Sequence, residues 1–125
     1  MSMGKNKGIE SKTLYDLDMV EKMCRGKHST ILKMVNTFIT TMTMGGLEIE
    51  QAWEKMDLQA IQNIVHRIKP TLAIYGITSL EKNILQLETV GNDPASFNDL
   101  KSSVENINTV IAQVVTDLKN KYFIN

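Results

Sequence analysis

Apolar residues fall at steps of three and four through most of this chain, the period of an α-helix rather than of a strand. The pattern is most regular between 57 and 76, where Leu58, Ile61, Val65, Ile68, Leu72 and Tyr75 follow at steps of 3, 4, 3, 4 and 3. Phe97, Leu100, Val104, Ile107, Ile111, Val114 and Leu118 then keep a seven-residue repeat. Only two prolines, Pro70 and Pro94, interrupt the chain. An all-α fold is therefore expected, and 42% hydrophobic residues in a chain of 125 are enough for one core.

Residues 1–12 form a basic leader whose Lys5, Lys7 and Lys12 serve as a solvating tail, and 13–125 are expected to be the helical domain. A short first helix runs from about Asp16 to Cys24, with Leu17, Val20 and Cys24 inward and Gly26 as terminator. A second, about His28 to Met42, aligns Ile31, Val35, Phe38 and Met42. Gly45-Gly46 then reads as a break, followed by a stripe of Ile49, Ala52, Trp53 and Met56, with Glu48 and Glu50 near its positive end. Asp57 is placed to N-cap the most regular helix and Gly76 to end it. Thr78-Ser79-Leu80-Glu81 reads as a capping box for a helix burying Leu80, Ile84 and Leu87. Gly91-Asn92-Asp93-Pro94 reads as a loop, with the last helix starting near Pro94. Short connections favour antiparallel neighbours, so the expected architecture is an up-and-down four-helix bundle with a short additional N-terminal helix. Its long members lie near 28 to 55, 57 to 75, 78 to 90 and 94 to 121. The heptad stretch is barely three repeats long and has amphipathic neighbours to cover it, so it is read as packing within a monomer.

Fourteen Lys and Arg balance fourteen Asp and Glu, and the pI is near 6.7. Such a chain lacks the cationic excess that nucleic acid or an anionic membrane would select, so neither is expected as a partner. Cys24 is the single cysteine, which excludes an intrachain disulfide and suits a reducing compartment. No apolar stretch follows the charged start, so no secretory signal is read, and a cytoplasmic location is expected. An opening on Met1 is that expected of a freestanding protein.

His66 breaks the pattern of the regular helix. With residues at about 100° intervals, the apolar stripe centres near Val65 and Leu72, and His66 lies roughly 140° away on the outer face. Gln59, Gln62, Asn63, Lys69, Pro70 and Ala73 share that face. A histidine so placed is an ordinary surface residue in most helical proteins, but three neighbours argue for more. Lys69, one turn on, can meet an anion carried by the imidazole. Pro70 removes the N–H that would bond the carbonyl of His66, at a cost of about 3 kcal/mol in a helix interior. Ala73 keeps the adjoining surface low.

His66-Arg67-Ile68-Lys69-Pro70, followed by Ala73, Gly76 and Leu80, resembles the H-x-L-K-G signature helix of histidine-containing phosphotransfer (HPt) domains. The likeness extends from Tyr15 to about Lys119 in the order of elements. Two positions depart from the signature: Ile68 stands for Leu, a conservative change, and Pro70 stands for Gly. The family's Gly keeps the surface beside the histidine open. The compact proline ring does likewise, although a kink there would re-aim His66.

The resemblance implies a phosphorelay intermediate of two-component signalling, a carrier rather than an enzyme. His66 would accept a phosphoryl group at Nε2 from a response-regulator receiver aspartate and pass it to another receiver. An exposed imidazole is mostly neutral near pH 7, which leaves one nitrogen with a lone pair for attack. Lys69 would offset the phosphoryl charge, Gln62 and Asn63 are candidate donors to phosphate or partner, and Pro70 and Ala73 would lie at the docking surface. The implied partners are a receiver domain and a hybrid histidine kinase. The His66 face carries no clustered carboxylates, so Mg²⁺ is expected from the receiver partner, with no cofactor held by this chain. Neither autophosphorylation nor ATP hydrolysis is expected.

Other chemistries lack their residues. Gly45-Gly46 has no Lys-Ser/Thr after it, so it is no phosphate-binding loop. A di-iron bundle needs Glu three residues before each histidine, where Asn63 and Arg25 stand. Two histidines and one cysteine without paired spacing do not read as a zinc site. His28 reads as surface, Phe38 and Trp53 as core, and the eight methionines as packing. Two competing readings remain: a helical adaptor that binds a partner through the same surface without accepting phosphate, and a hydrolytic or metal enzyme. The latter requires a second polar residue converging on His66 from another helix.

Overall fold

The computed structural model describes residues 14–90 and 97–125. The leader, the loop at 91–94 and the expected helix start near Pro94 lie outside the described residues. Within them every regular element is helical: α1 Asp18–Met23, α2 His28–Glu54, α3 Leu58–Ile74, α4 Glu81–Thr89, a 3₁₀ turn Asn98–Leu100, and α5 Lys101–Lys121. No described helix is long and apolar enough to cross a membrane.

Helix ends follow from local chemistry. The Asp57 carboxylate accepts the Ala60 N–H at 3.1 Å and opens α3 as expected. At its other end Gly76 adopts φ +65°, while Ile77 N–H reaches Leu72 O at 2.9 Å and Gly76 N–H reaches Ala73 O at 3.1 Å, a Schellman termination. The same paired bonds close α1 and α2 with non-glycine residues in the left-handed position, Arg25 at φ 55° and Met56 at φ 54°. Met56, expected on an inward stripe, is therefore past the helix end and exposed. Glu81 was expected to belong to a capping box, but the carbonyl of Thr78 takes its N–H at 3.2 Å and no side chain caps α4. Burial of Ile77 and Leu80 sets that entry instead.

The expected break at Gly45-Gly46 does not occur, because α2 runs unbroken through both. Each glycine in a helix interior costs about 1 kcal/mol relative to alanine. A Cβ on Gly45 would lie 3.4 Å from Ile68 of α3, and one on Gly46 would lie 3.5 Å from Asn108 of α5, ordinary contact distances at which alanine would fit. Burial of Met42, Gly45 and Ile49 on one face carries the helix through the pair.

Helix α2 packs on α3 and α5, α4 packs on the same two, and α1 leans on α2. Phe38, Met42, Ile61, Ile68, Leu87 and Ile107 are among the fully buried side chains between them. Tyr75 stacks on Phe38 with ring centres 4.1 Å apart and donates its hydroxyl to Met34 O at 2.9 Å. Trp53 is half-buried and stacks on Phe97 at 4.2 Å. Met34 beside Tyr75, and Glu48 beside Arg67, show that α2 and α3 run antiparallel.

The N-terminal segment is tied to the end of α3, where Asp16 N–H donates to Tyr75 O at 2.9 Å. A Cβ on Gly76 would lie 2.6 Å from Asp16 Cβ, whereas one on Gly26, also at positive φ, would meet nothing within 4 Å. Gly76→Ala is expected to destabilise the fold by more than the ~1 kcal/mol that the left-handed conformation alone costs, and by more than Gly26→Ala. Urea midpoints of the two variants check this, and equal midpoints would contradict it.

Candidate functional site

The stripe Ile61, Ile64, Val65, Ile68 and Leu72 is buried, so the opposite face of α3 meets solvent. His66 stands on that face with 83% of its side-chain surface exposed. Helix α3 is continuous across Pro70, which together with Asn63, Lys69 and Ala73 is exposed beside the imidazole. The proline removes the hydrogen bond to the His66 carbonyl without ending the helix.

Gln62 takes a different place from the one expected. It is half-buried, and its amide nitrogen donates to Leu87 O at 2.9 Å and Val90 O at 3.2 Å, the terminal carbonyls of α4. That side chain braces α4 against α3 and has no N–H directed at the imidazole. Asn63 accepts from Gln59 Nε2 at 3.2 Å along its own helix.

A carboxylate that the helical pattern of α3 did not reveal stands at the site. Glu88 of α4 places Oε1 3.0 Å from Lys69 Nζ and Oε2 3.6 Å from His66 Nδ1, with 20% of its side chain exposed. The expectation of a carboxylate-free surroundings thus holds only for residues of α3. The distance to His66 exceeds a hydrogen bond, yet so near a negative charge favours hydrogen on the facing Nδ1 and the lone pair on Nε2. The hydrogen bond from Lys69, above all, holds the Glu88 carboxyl below its ordinary value; burial opposes this in part, and the charges of Lys69 and His66 reinforce it.

On the other flank Arg67 is paired with Glu48 of α2. Both cations adjoining His66 are therefore engaged with carboxylates of neighbouring helices. Glu88 had one sequence signal: it follows the inward Leu87 and lies four residues after the inward Ile84, at the edge of the α4 stripe. Its target could be read only with the register of α4 against α3 in hand.

Two grooves lie away from His66. One of about 310 Å³ is lined by Met34, Phe38, Thr71 and Ile74 among others, one of about 640 Å³ includes Glu50, Trp53, Lys101 and Glu105, and neither contains His66. Among the described residues no three His, Cys, Asp or Glu side chains converge as a metal site would require. His28 is exposed, its ring 6.2 Å from that of Tyr122, and Cys24 is buried with Sγ 3.3 Å from Met34 Sδ.

Because the carboxyl of Glu88 is held below the ordinary 4.5, the pair with Lys69 stabilises the fold above that pH, and the contribution is lost as pH falls through the lower folded value. A carboxyl-carbon NMR titration should give Glu88 a midpoint below 4.5, and Lys69→Ala should raise it. A midpoint indifferent to Lys69→Ala would contradict the pairing. No protein-family model, curated protein or solved structure matches this chain.

Proposed function

We propose that this chain is a phosphocarrier of the HPt type: an up-and-down four-helix bundle with a short leading helix that relays a phosphoryl group between receiver domains in two-component signalling. The observation that carries the reading is the imidazole of His66, 83% exposed on an unbroken helix with Lys69 one turn away. A phosphoryl donor seated in another protein can reach such a nitrogen only if nothing covers it.

In this reading Nε2 attacks the phosphorus of a receiver's aspartyl phosphate. The N–P bond forms, the P–O bond breaks, and the receiver's carboxylate leaves as an anion. The Nδ1 proton stays on the ring facing Glu88, so no separate base is needed. The reverse exchange loads the next receiver. Lys69 offsets the phosphoryl charge, Pro70 and Ala73 keep the docking surface low, and Asn63 borders it. Positioning and charge balance dominate phosphoryl transfer, and the balancing Mg²⁺ belongs with the receiver's acidic pocket. A monomer working in the cytoplasm beside a hybrid histidine kinase fits this role.

Glu88 is the second polar residue that a hydrolytic reading requires. That reading lacks enclosure, because a small substrate needs a concave pocket and the His66 side chain is 83% exposed. A site so open suits a macromolecular surface instead.

Incubation with phosphorylated receiver domains of the same cell should leave an acid-labile phosphate on the chain, and His66→Gln should abolish it. Lys69→Ala should reduce the labelled fraction by roughly two- to five-fold, the scale of one exposed charge interaction. Binding of a receiver equally by wild type and His66→Gln, with no transfer, would replace this reading by that of a helical adaptor.

A further inference from the structure

Lys69 has one ammonium group and, in a phosphorylated site, two anions to serve. In the resting protein Glu88 Oε1 holds it at 3.0 Å, while Arg67, the other cation beside His66, is held by Glu48. A phosphoryl group on the ring brings about −1.5 to −2 charges within a helical turn of Lys69. The backbone of Glu88 is held close to the ring, because it follows the fully buried Leu87, and the second carboxylate oxygen lies 3.6 Å from Nδ1 of the same imidazole. If Lys69 turns to the phosphate, the Glu88 carboxylate loses its ammonium partner and keeps only the Nδ1–H of the ring at 3.6 Å; if it stays, the phosphoryl group lacks that ammonium.

We propose that Glu88 competes with the phosphoryl group for Lys69 and thereby makes phosphorylated His66 a readier donor, biasing phosphoryl flow out of this protein. The inference rests on the carrier reading of His66. Glu88 acts here as a positioning residue through Lys69, and no bond is made or broken at its carboxylate. The cost it imposes is electrostatic, so it should be screened by salt.

The test is the phosphoryl distribution at equilibrium between this chain and a receiver domain phosphorylated with acetyl phosphate, measured for wild type, Glu88→Gln, Lys69→Ala and the double variant. Glu88→Gln keeps the shape and removes the charge, and is expected to shift the ratio toward His66 roughly three-fold at low salt. At high salt the shift should shrink, and in the Lys69→Ala background it should be smaller than in wild type. An unchanged or lowered ratio in Glu88→Gln, or an equal shift with and without Lys69, overturns the inference while label on His66 leaves the carrier reading standing. A wild type that takes no label from any receiver overturns both.

Discussion

Burial of Ile61, Val65, Ile68 and Leu72 fixes the rotation of α3 about its own axis, and with it the direction in which His66 projects. A helix that buries a stripe must expose the opposite face, and a rotation that hid His66 would expose several fully buried aliphatic side chains at once. Each such side chain contributes about 1.5–3 kcal/mol to burial. The exposure of the imidazole is thus a consequence of core packing rather than of any contact His66 makes.

The position of α3 along its axis is held at both ends. Asp57 caps the start, while Gly76, Asp16 and Tyr75 lock the finish, with Tyr75 reaching across to Met34 of α2. Between these ends α2 packs on α3 with Gly45 facing Ile68, one residue from Lys69. A rigid helix so anchored presents His66 with little conformational freedom in its backbone. The same packing brings α4 alongside, so that Glu88 meets Lys69 and Gln62 caps the last carbonyls of α4.

Features decided within one helix were legible in the sequence. The inward stripe of α3, its Asp57 cap, its Gly76 terminator and the outward face of His66 all follow from helical period and cap chemistry. Features decided between helices were not. Gly45-Gly46 reads locally as a break, and the helix continues because a buried face runs through it from Met42 to Ile49. Met56 carries no turn signal, yet it takes the left-handed position that ends α2. Glu88 lies 22 residues after His66, and Gln62 lies on the expected face but turns to α4. Both depend on a register between helices that no periodicity encodes.

The site therefore combines an imidazole exposed by the core with a charge environment assembled from three helices. The reading of His66 as a phosphoacceptor commits to one atom, since Glu88 faces Nδ1 and leaves Nε2 for attack. Nitrogen-15 and phosphorus-31 NMR of the chain after exposure to a phosphorylated receiver tests that commitment most directly. The account predicts a single phosphoramidate on Nε2 of His66; phosphate on Nδ1, on His28 or on no histidine would contradict it.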